Sequence, residues 1–121
     1  MPLRRRIDSF RYAFRGLADL FQSQPNARIH LVVACAVIVA GCGLRISRLE
    51  WLALVICIAL VTALEAVNTA LEHLTNLVSP DFHPLAGKVK DVAAAAVLVG
   101  AFGAVVVGLI VFVPRLAHLL P

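Results

Sequence analysis

The sequence predicts an all-α integral membrane protein: an N-terminal amphipathic surface helix followed by three membrane-spanning helices. Three observations carry this prediction. Hydrophobic residues make up 61% of the 121 residues and charged ones 15%, against about 45–50% and 25% in soluble domains. Three long apolar stretches lie at about 29–44, 49–74 and 92–113. Arginines 4, 5, 6, 11 and 15 crowd the chain ahead of the first stretch. A chain of this length holds one small domain at most, so residues 1–121 are read as a single unit. The net charge of +4 is modest. Its N-terminal cluster suits anionic lipid headgroups as readily as nucleic acid. With so little soluble surface, lipid is the expected partner and nucleic acid is not.

The elements follow in chain order. Over residues 4–21, Ile7, Phe10, Phe14, Leu17 and Phe21 recur at intervals of three and four, while Arg4, Asp8, Arg11, Arg15 and Asp19 fill another face. That pattern fits a helix lying in the headgroup plane. A coiled coil needs more periods than these. Pro25 then interrupts, and Asn26 is placed to help start the next helix. The first apolar segment, about 29–44, is short and needs its flanks to span roughly 30 Å of hydrocarbon at about 1.5 Å per residue. The second, about 49–74, is long enough, with Trp51 as an aromatic anchor at its far end. The third, about 92–113, is uncharged and is expected to end at Pro114 and Arg115. It is rich in small residues, with Gly100/Ala104 and Ala104/Gly108 spaced for close helix approach within or between subunits. So small a helical unit gives polar side chains little internal cover, which points to oligomerisation. Cys35, Cys42 and Cys57 all sit in apolar runs without a CxxC and read as small hydrophobes. No cleavable signal peptide is evident, because an amphipathic stretch follows the basic start.

With the N-terminus cytoplasmic, that side holds eight Lys and Arg and the far side holds Arg45, Arg48 and Arg115. This satisfies the positive-inside rule. It places the end of the second span and residues 75–90, read as a loop, on the side where ATP is available.

The second span carries a polar stripe in its last third. Glu65, Asn68, Thr69 and Glu72 follow i, i+3, i+4, i+7 spacing and share one helix face; Asn76 lies one turn further on. Carboxylates at membrane depth are expensive and by default mark function. Near them come His83, Gly87, Lys88, Lys90 and Asp91. Carboxylates bind Mg²⁺ through oxygen, and lysine neutralises phosphate. Desolvation of the deeper carboxylate, Glu65, is expected to raise its pKa, which suits a general base for a lipid hydroxyl. Phosphoryl transfer needs mainly positioning and charge neutralisation, and this set supplies both. There is no GxxxxGK[ST] or GxGxxG to suggest a phosphate-binding-loop or protein-kinase-like fold. The structural alternative makes Glu65 and Glu72 interhelical hydrogen-bonding groups and Lys90-Asp91 a charge pair at a helix start. His30, His73, His83 and His118 show no metal-ligand spacing as a set. His30 and His83 read as structural or loop-ordering, and His73 as interfacial.

The run Glu65-Ala66-Val67-Asn68-Thr69-Ala70-Leu71-Glu72, followed by His83-Pro84-Leu85-Ala86-Gly87-Lys88-Val89-Lys90-Asp91 and an alanine run, resembles the prokaryotic diacylglycerol kinase family. That family includes the integral-membrane diacylglycerol kinase and the undecaprenol kinase. The resemblance extends to Tyr12-Ala13-Phe14-Arg15-Gly16-Leu17 and Asn26-Ala27-Arg28-Ile29-His30, the latter closer to the undecaprenol-kinase side. It implies a homotrimer in the bacterial cell (inner) membrane, with sites built between neighbouring subunits at the cytoplasmic face. It implies transfer of the γ-phosphate of ATP, with Mg²⁺, to the hydroxyl of diacylglycerol or undecaprenol. By position, Glu65 would be the general base and Glu72 a Mg²⁺ ligand. Asn68, Lys90 and Asp91 would hold the nucleotide phosphates, with Arg28 as a headgroup or phosphate contact. Two amides depart from the pattern: Gln24 stands where the family often has a second metal-binding glutamate, and Asn76 where it usually has an aspartate. The competing expectation is a non-catalytic membrane scaffold or lipid-binding protein that kept the fold after losing those carboxylates.

Overall fold

The computed structural model describes residues 2–121. They form four helices: α1 (Pro2–Ser23), α2 (Pro25–Leu44), α3 (Arg48–Val78) and α4 (Pro84–Ala117). α2, α3 and α4 are each long and apolar enough to cross a membrane.

Proline starts two of these helices. Pro25 opens α2 at its first turn, where a missing N–H costs nothing and a fixed φ suits the helix. The N-cap is Gln24, without a side-chain cap bond, so Asn26 lies inside the helix and does not cap it. Gln24 also joins α1 to α2: its N–H donates to Leu20 O at 3.0 Å and its carbonyl accepts from Arg28 N–H at 3.3 Å. Leu20 and Ala27, each 2% exposed, pack this junction. α2 therefore begins four residues before the expected start at 29. Its 20 residues reach about 30 Å, the thickness of a hydrocarbon core. It ends at Arg45, which takes the left-handed conformation (φ 50°) and donates its N–H to Gly41 O.

A capping box starts α3: Ser47 Oγ accepts from Glu50 N–H at 3.2 Å, and Glu50 Oε1 accepts from Ser47 N–H at 3.0 Å. Such reciprocal bonds satisfy two donors a helix N-terminus leaves unpaired. α3 continues past the expected end at 74. α4 opens early, at Pro84, with His83 Nδ1 capping Leu85 N–H at 3.1 Å. The expected loop 75–90 thus contracts to residues 79–83. Lys90 and Asp91 lie well inside α4, not at a helix start. Pro114 does not end α4 either. Proline removes one backbone hydrogen bond, but Arg115 in the next turn ion-pairs with Glu50 and donates to Arg45 O at 3.5 Å. Those bonds hold the last turn of α4 against the start of α3.

α3 and α4 are the principal packed pair; α1 and α2 lie more lightly against them. At the Arg115 end, Ile46, Leu54 and Val111 form a small core flanked by Val37, Leu44, Trp51, Val107 and Phe112. Trp51 therefore packs inward against this core instead of standing free as an anchor. Gly100 lets α4 approach α3: a Cβ there would lie 2.6 Å from Leu64 Cδ1. Most other large apolar side chains of the three long helices face outward, as in a protein whose solvent is lipid.

Candidate active site

The stripe on α3 is fixed from within the helix. Thr69 Oγ1 donates to Glu65 O at 2.9 Å, and both residues are buried, at 5% and 4% exposure. Asn68 Nδ2 donates to Glu72 Oε1 at 3.4 Å. Asn68 Oδ1 is buried and receives no donor. Buried polar atoms are nearly always paired, so this oxygen points to an absent partner.

α2 supplies the facing wall. His30 Nδ1 lies 3.0 Å from Glu65 Oε1, off the line of an ideal hydrogen bond, and has no other partner. A cavity of about 230 Å³ opens here, lined by Asn26, His30, Glu65 and Asn68 on one side and by Ala94, Val97, Leu98 and Ala101 of α4 on the other. His30 and Ala101 also line an apolar groove of about 160 Å³, walled by residues such as Ala34, Leu54, Val61, Ala104 and Gly108. Glu65 thus lines the cavity, and His30 and Ala101 form the wall that the cavity shares with the apolar groove. The stripe is readable from spacing within α3, whereas His30 reads from the sequence as structural or loop-ordering. Asn26, His30, Ala34 and Val37 recur at helical spacing on one face of α2, and that periodicity was the available signal.

A second cluster joins α3 to α4. Lys90 Nζ donates to Asn76 Oδ1 at 2.6 Å, one turn beyond Glu72. The amide at 76 accepts this bond without adding charge. Asp91 and Arg28 are exposed, and neither lines the cavity at Glu65. Gln24 is half-buried at the α1–α2 junction. His73 lies 3.5 Å from Asp19 of α1, both largely exposed, so the pair steadies α1 over α3 only weakly. Among the described residues, no three His, Cys, Asp or Glu side chains converge to hold a metal. Mg²⁺, however, commonly binds one or two carboxylates together with substrate phosphates and water. Glu72 and the unpartnered Asn68 Oδ1 are oxygen donors one turn apart, and that donor set fits a Mg²⁺ shared with a nucleotide.

Residues 11–112 match the profile described as "Prokaryotic diacylglycerol kinase". The chain is 38% identical over 114 residues to an undecaprenol kinase of Bacillus subtilis, covering 94% of this chain and 93% of that protein. The chain belongs to the prokaryotic diacylglycerol kinase family. It is also similar to a diacylglycerol kinase of Synechocystis, 42% identical over 113 residues, covering 93% of this chain and 65% of that longer relative. A diacylglycerol kinase of Escherichia coli is 27% identical over 95 residues, 78% of each chain. Membership in this family makes the chain a diacylglycerol kinase-type phosphotransferase, and its three apolar helices make it a membrane protein. Relatives that match nearly its whole length are named as kinases, which does not favour the non-catalytic scaffold.

Proposed function

We propose that the protein transfers the γ-phosphate of ATP to the hydroxyl of a membrane lipid, diacylglycerol or undecaprenol, giving phosphatidic acid or undecaprenyl phosphate. The observation that carries this reading is the place of Glu65, buried in the cavity that shares its His30–Ala101 wall with the apolar groove. A lipid hydroxyl entering along the groove would meet the carboxylate there, while phosphates occupy the polar side. Glu65 takes the hydroxyl proton as the lipid oxygen bonds to the γ-phosphorus. The bond from that phosphorus to the β-phosphate oxygen breaks, and ADP leaves with the electron pair. Glu72 and Asn68 Oδ1 would hold Mg²⁺, whose chemistry is to neutralise phosphate charge. Gln24 would add an uncharged ligand. Lys90, Asp91 and Arg28 would order and neutralise the nucleotide.

The N-terminus is cytoplasmic in this reading, in a bacterial inner membrane. α1 lies along the membrane surface, with Ile7, Phe10 and Phe14 exposed for burial in the headgroup layer. The exposure of Arg28 and Asp91 away from Glu65 supports a site completed by a neighbouring subunit, in a homotrimer. The test is purified protein in mixed micelles with ATP and either diacylglycerol or undecaprenol. Mg²⁺-dependent formation of lipid phosphate is expected from one lipid or both. Its absence with every lipid tried would sink the kinase reading.

A further inference from the structure

His30, whose Nδ1 lies 3.0 Å from the Glu65 carboxylate, has no part in the reaction as described above. We propose that His30 is a positioning residue for Glu65: its Nδ1–H holds one carboxylate oxygen and leaves the other for the lipid hydroxyl. The proposal rests on Glu65 acting as the base.

The chemistry of the contact requires a proton between the two groups. An ionised carboxylate only accepts hydrogen bonds, and a neutral imidazole carries its proton on one nitrogen alone. Two bare acceptors 3.0 Å apart would repel. With Glu65 ionised, as a base must be, the proton that relieves this repulsion belongs on Nδ1, which has no other partner. The bond a ring nitrogen makes selects the tautomer. Among the described residues, no hydrogen bond reaches the Glu65 carboxylate from Thr69, from Asn68 or from Asn26, which shares its cavity. Thr69 holds the Glu65 backbone carbonyl, not its side chain. Asn68 turns its amide N–H toward Glu72. The groove beside the pair is lined by alkyl groups such as those of Ala34 and Val61. A carboxylate with 5% of its side chain exposed is therefore left to a neighbour whose side chain is 29% exposed.

The test uses two variants and two readouts. His30→Leu removes the donor, whereas His30→Asn places an amide N–H near the position of Nδ1. Misplacing a reacting group by about 1 Å costs on the order of 10²-fold. His30→Leu is therefore expected to lower kcat about 10- to 100-fold, with KM for ATP within about twofold of the parent, and His30→Asn to recover most of the loss. Wild-type kcat in His30→Leu, or equal loss in both variants, overturns the proposal. The second readout does not depend on turnover: ¹⁵N NMR of histidine-labelled protein in micelles. His30 is expected to carry its proton on Nδ1 in the parent and to shift toward Nε2–H in Glu65→Gln. An Nε2–H tautomer unmoved by Glu65→Gln overturns it. A parent protein that makes no lipid phosphate yet shows the Nδ1–H signal would defeat the kinase reading while leaving the contact established.

Discussion

Glu65 and Gln24 carry the sharpest consequences at the scale of single residues. If Glu65 is the base, Glu65→Gln keeps its size and its place beside His30 but cannot accept the proton. General-base catalysis contributes about 10²–10⁴-fold, so kcat is expected to fall by at least about 100-fold, with thermal unfolding in detergent unchanged within a few degrees. Full turnover in this variant would remove Glu65 from the chemistry. Gln24 tests the other departure. Its half-buried side chain makes no cap bond, so Gln24→Glu removes no helix cap. If the residue reaches the metal, added charge should lower the Mg²⁺ concentration for half-maximal activity several-fold, since cation affinity rises with ligand charge. An unmoved Mg²⁺ titration would place Gln24 outside the metal site. The stripe from Glu65 to Glu72 was legible in the sequence because four residues on one helix need only the helical repeat to bring them together. The His30–Glu65 contact was not, because it joins two helices across 35 positions and depends on how α2 lies against α3.

Among the elements, helix existence was readable and helix ends were not. An apolar window long enough to span a bilayer is a property of composition summed over many residues. An end depends on one or two local bonds. In the sequence Pro25 interrupts and Pro84 falls in the expected loop, yet each opens a helix at N1. Pro114 sits inside α4 because the Arg115–Glu50 pair holds the turn beyond it. Close helix approach follows the same logic. Gly41 lies against the Trp51 ring, and an added Cβ would meet Cη2 at 2.8 Å, Cζ2 at 3.0 Å and Ile46 Cδ1 at 3.1 Å. An indole ring wedged into the small core at this end has few alternative positions. Overpacking typically costs about 1–3 kcal/mol, against a helix-propensity gain of about 0.5–1 kcal/mol on replacing glycine by alanine. Gly41→Ala is therefore expected to destabilise the protein by about 1 kcal/mol net, from the same two ranges. Gly43→Ala is the control: nothing lies within 4 Å of its Cβ position, so it should be neutral or slightly stabilising. Equilibrium unfolding in mixed micelles separates the two, and equal stability in both variants would show that the Trp51 ring yields freely.

The whole molecule is asymmetric in length as well as in charge. α2, with 20 residues, matches a hydrocarbon core of about 30 Å, whereas α3, with 31 residues, and α4, with 34, run to about 46 and 51 Å at about 1.5 Å per residue. The three helices are bound together at the Arg115 end, where Val37 and Leu44 of α2, Trp51 of α3 and Phe112 of α4 pack around the core of Ile46, Leu54 and Val111. The excess length must then project at the opposite end, which carries Glu72, Asn76 and Lys90. Counted from Arg48, Glu65 stands about 25 Å along α3 and Glu72 about 36 Å. In the proposed orientation the first would fall inside the hydrocarbon layer near its boundary, and the second in the headgroup region, within reach of a nucleotide. α1 packs against α3 at this same end, through Asp19 and His73, and in the proposed orientation its arginines would favour the cytoplasmic face. The proposed orientation and the proposed chemistry make one demand, that the projecting end face the ATP pool. Cysteine accessibility tests it. With Cys35, Cys42 and Cys57 replaced by alanine, Ser9→Cys in α1 should react with a membrane-impermeant maleimide in inverted vesicles and be protected in right-side-out ones. His118→Cys, just past α4, should show the reverse. Labelling of Ser9→Cys from the outer face would put the stripe on the wrong side for ATP.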